Sequence, residues 1–90
     1  MIARRFIVRG RVQGVGYRYF ALHAARRAGV VGTVRNMPDG TVEAIAEGTR
    51  QAIADFRREL QSGPSYAHVS RVDEIEMQAT GRYSGFDVVY

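Results

Sequence analysis

Hydrophobic and polar residues alternate along the first dozen positions. Phe6, Val8 and Val12 share one parity, with Gly10 among them. Arg5, Arg9 and Arg11 share the other, broken only by Ile7. A period of two describes a half-buried strand over residues 4–12 with a basic outer face. Gln13-Gly14-Val15-Gly16 interrupts it. From Tyr17 to Ala28 the period becomes helical. Tyr17, Phe20, Ala21, Ala24 and Ala28 fall on one stripe, and Arg26 and Arg27 lie off it near the C-terminal end, where positive charge suits the helix dipole. Gly29 is the expected stop.

Residues 30–36 read as a second strand and 41–47 as a third. Between them Met37-Pro38-Asp39-Gly40 is turn chemistry, so the two strands form a hairpin. Val42, Ala44 and Ala46 point one way from the third strand; Glu43, Ile45 and Glu47 point the other. Thr49 is placed to cap a second helix, whose buried face is Ile53, Phe56 and Leu60. Ser62-Gly63-Pro64-Ser65 ends it. Residues 69–77 alternate less cleanly and predict a bulged fourth strand. A polar loop over 79–84 leads to a short strand over 86–90.

Strand, helix, strand, strand, helix, strand is the split βαβ, or ferredoxin-like, order. The fold class is α+β: one antiparallel sheet of four to five strands with two helices on one face. Ninety residues hold one core, so residues 1–90 are expected to form a single domain. In this topology the first and third strands are antiparallel neighbours. Glu43 and Glu47 are then expected to face Arg5, Arg9 and Arg11 across the open side of the sheet, each pair contributing roughly 0.2–1 kcal/mol.

Composition narrows the function classes. Hydrophobic residues are 46% and charged residues 24%, which is globular usage. There is no cysteine, and His23 and His68 are far apart, so neither a disulfide framework nor a metal site is expected. No apolar run approaches the ~20 residues of a membrane span. The opening Met-Ile-Ala-Arg-Arg-Phe has no signal-peptide character. The expectation is a soluble cytoplasmic protein, with no membrane partner and, for want of a long exposed apolar stripe, a monomer. All 13 basic residues are arginine against nine acids, a net charge of +4. That balance suits nucleic acid or phosphate equally, and genomic base bias alone would also produce it. RNA-recognition modules share the topology but stack bases on aromatics of the two central strands. Here those strands offer Arg5, Ile7, Arg9 and Arg11, then Glu43, Ile45 and Glu47. No aromatic is placed for stacking, so nucleic acid is not the expected partner.

Chemistry concentrates at one edge of the sheet. The first strand ends in Gly10-Arg11-Val12-Gln13-Gly14-Val15-Gly16-Tyr17-Arg18, and the second ends in Val34-Arg35-Asn36. The third strand lies between them, so two strand spacings of about 4.8 Å separate the ends. Gly14 and Gly16 let successive N–H groups face one concavity, and the following helix start attracts an anion. Arg18 adds a planar, always-charged fork. Taken alone, two glycines in such a turn are equally served by sterics, and Asn36 before Pro-Asp-Gly by a turn role.

The combination resembles the acylphosphatase family. Residues 10–18 match its Gly-x-Val-Gln-Gly-Val-x-aromatic-Arg signature. Gly32-Thr33-Val34-Arg35-Asn36, with Gly40-Thr41-Val42 and Gly48, matches its second motif. The resemblance implies metal-independent hydrolysis of small acyl phosphates to a carboxylate and inorganic phosphate, without a cofactor. It implies that Arg18 binds phosphate and is catalytic. It also implies that Asn36 orients the attacking water, and that the backbone of Gln13, Gly14, Val15, Gly16 and Tyr17 cradles the phosphate. Thr33 and Met37 depart from residues common in the family and bear on substrate preference rather than on the reaction. Tyr17 is expected to pack in the core beneath the loop, Asp39 to form the turn, and Tyr90 to approach Arg18 through its carboxylate if the last strand ends at this edge.

Overall fold

The computed structural model describes all 90 residues. Its elements are β1 (Ile2–Arg11), α1 (Tyr17–Ala28), β2 (Val31–Asn36), β3 (Val42–Gly48), α2 (Arg50–Ser62), β4 (His68–Met77) and β5 (Phe86–Val88). One five-stranded sheet runs β4-β1-β3-β2-β5. The first four strands pair antiparallel as expected. β5 departs from the all-antiparallel expectation and pairs parallel to β2, with Gly32, Thr33 and Val34 opposite Phe86, Asp87 and Val88. The polar segment after β4 crosses behind the sheet before β5 begins, so β5 arrives in the direction of β2.

The alternation of β1 sets which face is buried. Phe6 and Val8 are fully buried, with Ala44 and Val42 opposite them on β3. The expected stripe of α2 packs on that side through Ile53, Phe56 and Leu60, and α1 adds Tyr17, Ala21, Ala24 and Ala25. Phe56 packs edge-on against both Phe6 (5.9 Å) and Phe86 (5.5 Å). Local signals start and stop the helices. Thr49 Oγ1 accepts from Ala52 N–H at 3.1 Å, and Gly29, at φ 86°, donates its N–H to Ala25 O at 2.9 Å. The expected bulge is present. Arg9 pairs with Arg71 but Gly10 with Val69, leaving Ser70 as the extra residue on β4. A Cβ on Gly10 would lie 2.1 Å from His68 O, so only glycine fits beside the bulge.

The open face of the sheet differs from expectation in its pairing. Glu43 does bind Arg5 (2.6 Å), and it also binds Arg35 (2.9 Å). Arg9 instead pairs with Asp73 on β4 (2.9 Å), and Arg11 makes no ion pair. The β1–β3 ladder ends at Val8 opposite Val42, so Arg9 and Arg11 have no β3 neighbour to reach. Glu47 lies opposite Ala3, at the other end of β3, and binds no arginine. Its carboxylate accepts from Thr80 N–H (2.9 Å), Thr80 Oγ1–H (2.9 Å) and Gly81 N–H (3.0 Å), fastening the 79–85 segment over the sheet. Arginine stems and that segment bury both glutamates to 5% and 1% exposure.

Candidate active site

β1 passes to α1 through Val12–Gly16. Gly14 and Gly16 have φ of 74° and 75°, a left-handed conformation that side chains resist. A Cβ on Gly14 would meet nothing within 4 Å, so the dihedral rather than crowding demands glycine there. Gly16 occupies the N-cap of α1 without a side-chain cap, and the first turn holds no acid. The helix's first hydrogen bond runs from Phe20 N–H to Gly16 O. The backbone N–H groups of Gly14 through Tyr19 donate to no protein acceptor. A concave run of free donors at the positive end of a helix accepts a small oxyanion.

Arg18 stands in the first turn. Eight of the 13 arginines are ion-paired: Arg4, Arg5, Arg9, Arg27, Arg35, Arg57, Arg58 and Arg71. Arg18 is not among them. Its guanidinium lies 4.7 Å from the centre of the Tyr90 ring instead, which leaves its donors available. The ring, not the carboxylate, is therefore the part of Tyr90 that meets Arg18. Val89 donates its N–H to Val34 O at 2.9 Å, extending the parallel pairing of β5 with β2. Two residues beyond the Val34–Val88 pair, Tyr90 comes level with Asn36.

Asn36 is the last residue of β2, opposite Val42. Its side-chain Oδ1 is buried and has no hydrogen-bond partner. No side-chain hydrogen bond commits the Asn36 carboxamide elsewhere in the protein. The turn beside it is firmly built. Asp39 accepts from the Thr41 hydroxyl (2.7 Å) and the Thr41 N–H (3.0 Å), and Thr41 O accepts from Met37 N–H (2.8 Å). Those bonds, the Thr41 hydroxyl first, hold the Asp39 carboxyl below the usual aspartate range.

Gln13 contributes a tie that the sequence reading, concerned with its backbone, did not include. Its Nε2 donates to Met37 O (2.7 Å) and to Thr41 O (2.8 Å). The side chain thus fastens the glycine loop to the turn that follows Asn36. Partners 24 and 28 residues away leave no local signal in the sequence. Tyr17 points inward, fully buried, with its hydroxyl donating to Leu60 O at 2.7 Å. Burial pushes that phenol above its ordinary range. Only the backbone of Tyr17 faces the loop.

The sheet edge therefore brings together free N–H donors, an unpaired guanidinium and a buried carboxamide oxygen. Neither the 13–18 segment nor Asn36 supplies a carboxylate or imidazole. The arrangement suits anion capture and the holding of one water. A cleft of about 520 Å³ lies at the opposite end of α1. It is lined by Arg27, Asp55, Arg58 and Glu59, which are committed to the Arg27–Glu59 and Arg58–Asp55 pairs. That cleft includes none of residues 13–18 and not Asn36. No helix is long and apolar enough to cross a membrane.

Comparison with known proteins converges on one family. A sequence model described as acylphosphatase matches residues 4–88. An acylphosphatase of Archaeoglobus fulgidus is 41% identical over 90 residues, all of both chains. The crystal structure of acylphosphatase from Bacillus subtilis superposes with a TM-score of 0.95 at 37% identity, covering all of both chains. An acylphosphatase from Coxiella burnetii gives a TM-score of 0.90 at 34% identity, over 98% of this chain and 92% of the other.

Proposed function

The chain belongs to the acylphosphatase family and is an acylphosphatase acting on small acyl phosphates, and we propose that Arg18, the 13–17 backbone and Asn36 carry out the reaction. In this reading residues 1–90 act as one unit. The phosphoryl oxygens sit in the concavity of the Gln13–Tyr17 backbone, against the free N–H groups, with the Arg18 fork on their outer side. The Asn36 carboxamide holds a water in line with the bond that breaks. The unpaired Arg18 beside a loop of free N–H donors carries the reading.

The substrate explains why so little machinery suffices. The leaving carboxylate needs no proton at neutral pH, so a general acid is dispensable. Phosphoryl transfer asks mainly for position and charge stabilisation. Fixed N–H donors and a guanidinium supply both without reorganising. Water attacks phosphorus, the P–O bond to the acyl group breaks, and the carboxylate departs with the bonding pair. The water's proton passes to a phosphate oxygen, giving inorganic phosphate. The reading assigns no metal and no cofactor.

The further expectations belong to the same proposal. The protein acts as a monomer in the cytoplasm, which its cysteine-free composition fits. Nucleic acid is not its partner. The central strands carry Arg5, Ile7 and Glu43 on their open face, with Arg5 and Arg35 already bound to Glu43.

Phosphate release from an acyl phosphate tests the assignment. Arg18→Ala should lower turnover by about 10²–10³-fold and weaken inhibition by inorganic phosphate. Asn36→Ala should remove most turnover and leave that inhibition nearly intact, and a chelator should change neither rate. Equal, modest losses in both variants would refute the assignment.

A further inference from the structure

The exposed aromatic side chains are unevenly placed. Tyr19, Tyr66 and Tyr90 are 52%, 59% and 88% exposed, whereas Phe6, Tyr17, Phe56 and Phe86 are buried. All three exposed rings stand around the glycine loop, and they come from separate parts of the chain. Tyr19 follows Arg18 in α1. Tyr90 lies beyond β5 with its ring over the Arg18 guanidinium. Tyr66 belongs to the turn between α2 and β4, where Ala67 N–H donates to Pro64 O. A Cβ built on Gly16 would lie 3.9 Å from the Tyr66 ring, so that ring flanks the loop on the other side. The neighbouring Tyr90 side chain holds the Tyr19 phenol above its usual value.

Exposed tyrosines cost hydration unless something apolar covers them, and three rings at one small edge are not explained by the core. The phosphoryl group fixes what lies beside it. A phosphate held by Gly14–Tyr17 and Arg18 carries its acyl group one bridging oxygen away, which is within reach of rings that touch Arg18 and Gly16. We propose that Tyr19, Tyr66 and Tyr90 form the acyl-recognition shelf of the site, selecting substrates whose acyl group is aromatic or extended and apolar. The proposal rests on the acylphosphatase reading of the same site. The rings present face and edge to a flat acyl group, and their hydroxyls remain in water at the rim. A methyl group, as in acetyl phosphate, is too small to cover them.

The test compares benzoyl phosphate with acetyl phosphate. The readout is the ratio of their kcat/KM values, normalised to the wild type so that intrinsic reactivity cancels. Tyr19→Ser, Tyr66→Ser and Tyr90→Ser should each lower the ratio about five- to tenfold, the scale of a lost aromatic contact. Tyr→Phe at the same positions should keep it. The three positions lie on three different segments and are exposed, so misfolding of one variant leaves the other two to decide. A ratio unchanged in the serine variants, or equal losses on both substrates, would overturn the shelf. Hydrolysis of neither substrate by the wild type would instead overturn the reading of the reaction, and the shelf with it.

Discussion

Gln13→Ala removes the tie between the anion loop and the turn beside Asn36. Two carbonyls lose a donor, Met37 O and Thr41 O. Each keeps one backbone bond, from Gly40 N–H and Met37 N–H respectively, and Gln13 is only half-buried, so water can replace part of the loss. At about 0.5–1 kcal/mol per bond the cost is about 1–2 kcal/mol. For a domain of this size that lowers Tm by about 4–16 °C. Stability of about 5 kcal/mol or more leaves the variant folded at 25 °C, so any change in rate there is not a loss of fold. The catalytic effect should exceed the stability effect. Without the tie, Asn36 and the loop no longer share one rigid frame, and kcat should fall about ten- to hundredfold. Inhibition by inorganic phosphate should change little, because the N–H cradle and Arg18 remain. The double variant with Asn36→Ala isolates the route. If Gln13 acts through the position of Asn36, Gln13→Ala costs almost nothing further once Asn36 is gone. A kcat within about twofold of wild type, or fully additive losses in the double variant, would refute this reasoning.

Two other perturbations follow from named contacts. Glu47→Gln sets an amide NH₂ against N–H donors that now meet a carboxylate, and should cost about 2–3 kcal/mol in urea unfolding at pH 7. Burial raises the Glu47 pKa, but the bonds from Thr80 and Gly81 outweigh it and hold the carboxyl below its ordinary 4.5. Its stabilisation is therefore complete above that value and is lost as pH falls through the lowered folded value, so the gap between wild type and variant should close in acid. A gap constant from pH 7 to 3 would contradict this. Gly16→Ala places a side chain at φ 75° at about 1–2 kcal/mol and should weaken phosphate inhibition as the cradle relaxes; unchanged inhibition would remove Gly16 from the cradle.

Local signals made much of this molecule legible. The residues of α1, the Thr49 cap, the hairpin turn at Asp39-Gly40 and the bulge opposite Gly10 all follow from neighbours in sequence, and each stands where the pattern places it. The placement of Arg18 in the first turn of α1, just after two left-handed glycines, was legible for the same reason. What escaped was long-range. Gln13 reaches across to Met37 and Thr41, and Glu47 fastens a segment 33 residues away. The ring of Tyr90 reaches Arg18 only because β5 runs parallel to β2. The partner of Arg9 was misread because alternation identifies a face but not where a ladder ends.

The arginine-only surface has a chemical consequence for a protein that meets acyl phosphates. These substrates are activated carboxylates, and free amines attack them. A lysine amine, once deprotonated, is such a nucleophile, whereas a guanidinium that stays protonated is not. The chain thus carries its positive charge, including the arginines that bind Glu43, Asp73 and Glu74 across the sheet, in a form inert to acylation. Prolonged exposure to an acyl phosphate should leave the intact mass unchanged apart from one acyl group on the Met1 amine, and a ladder of stable adducts would show otherwise. Its own reactant finds no side-chain amine to modify.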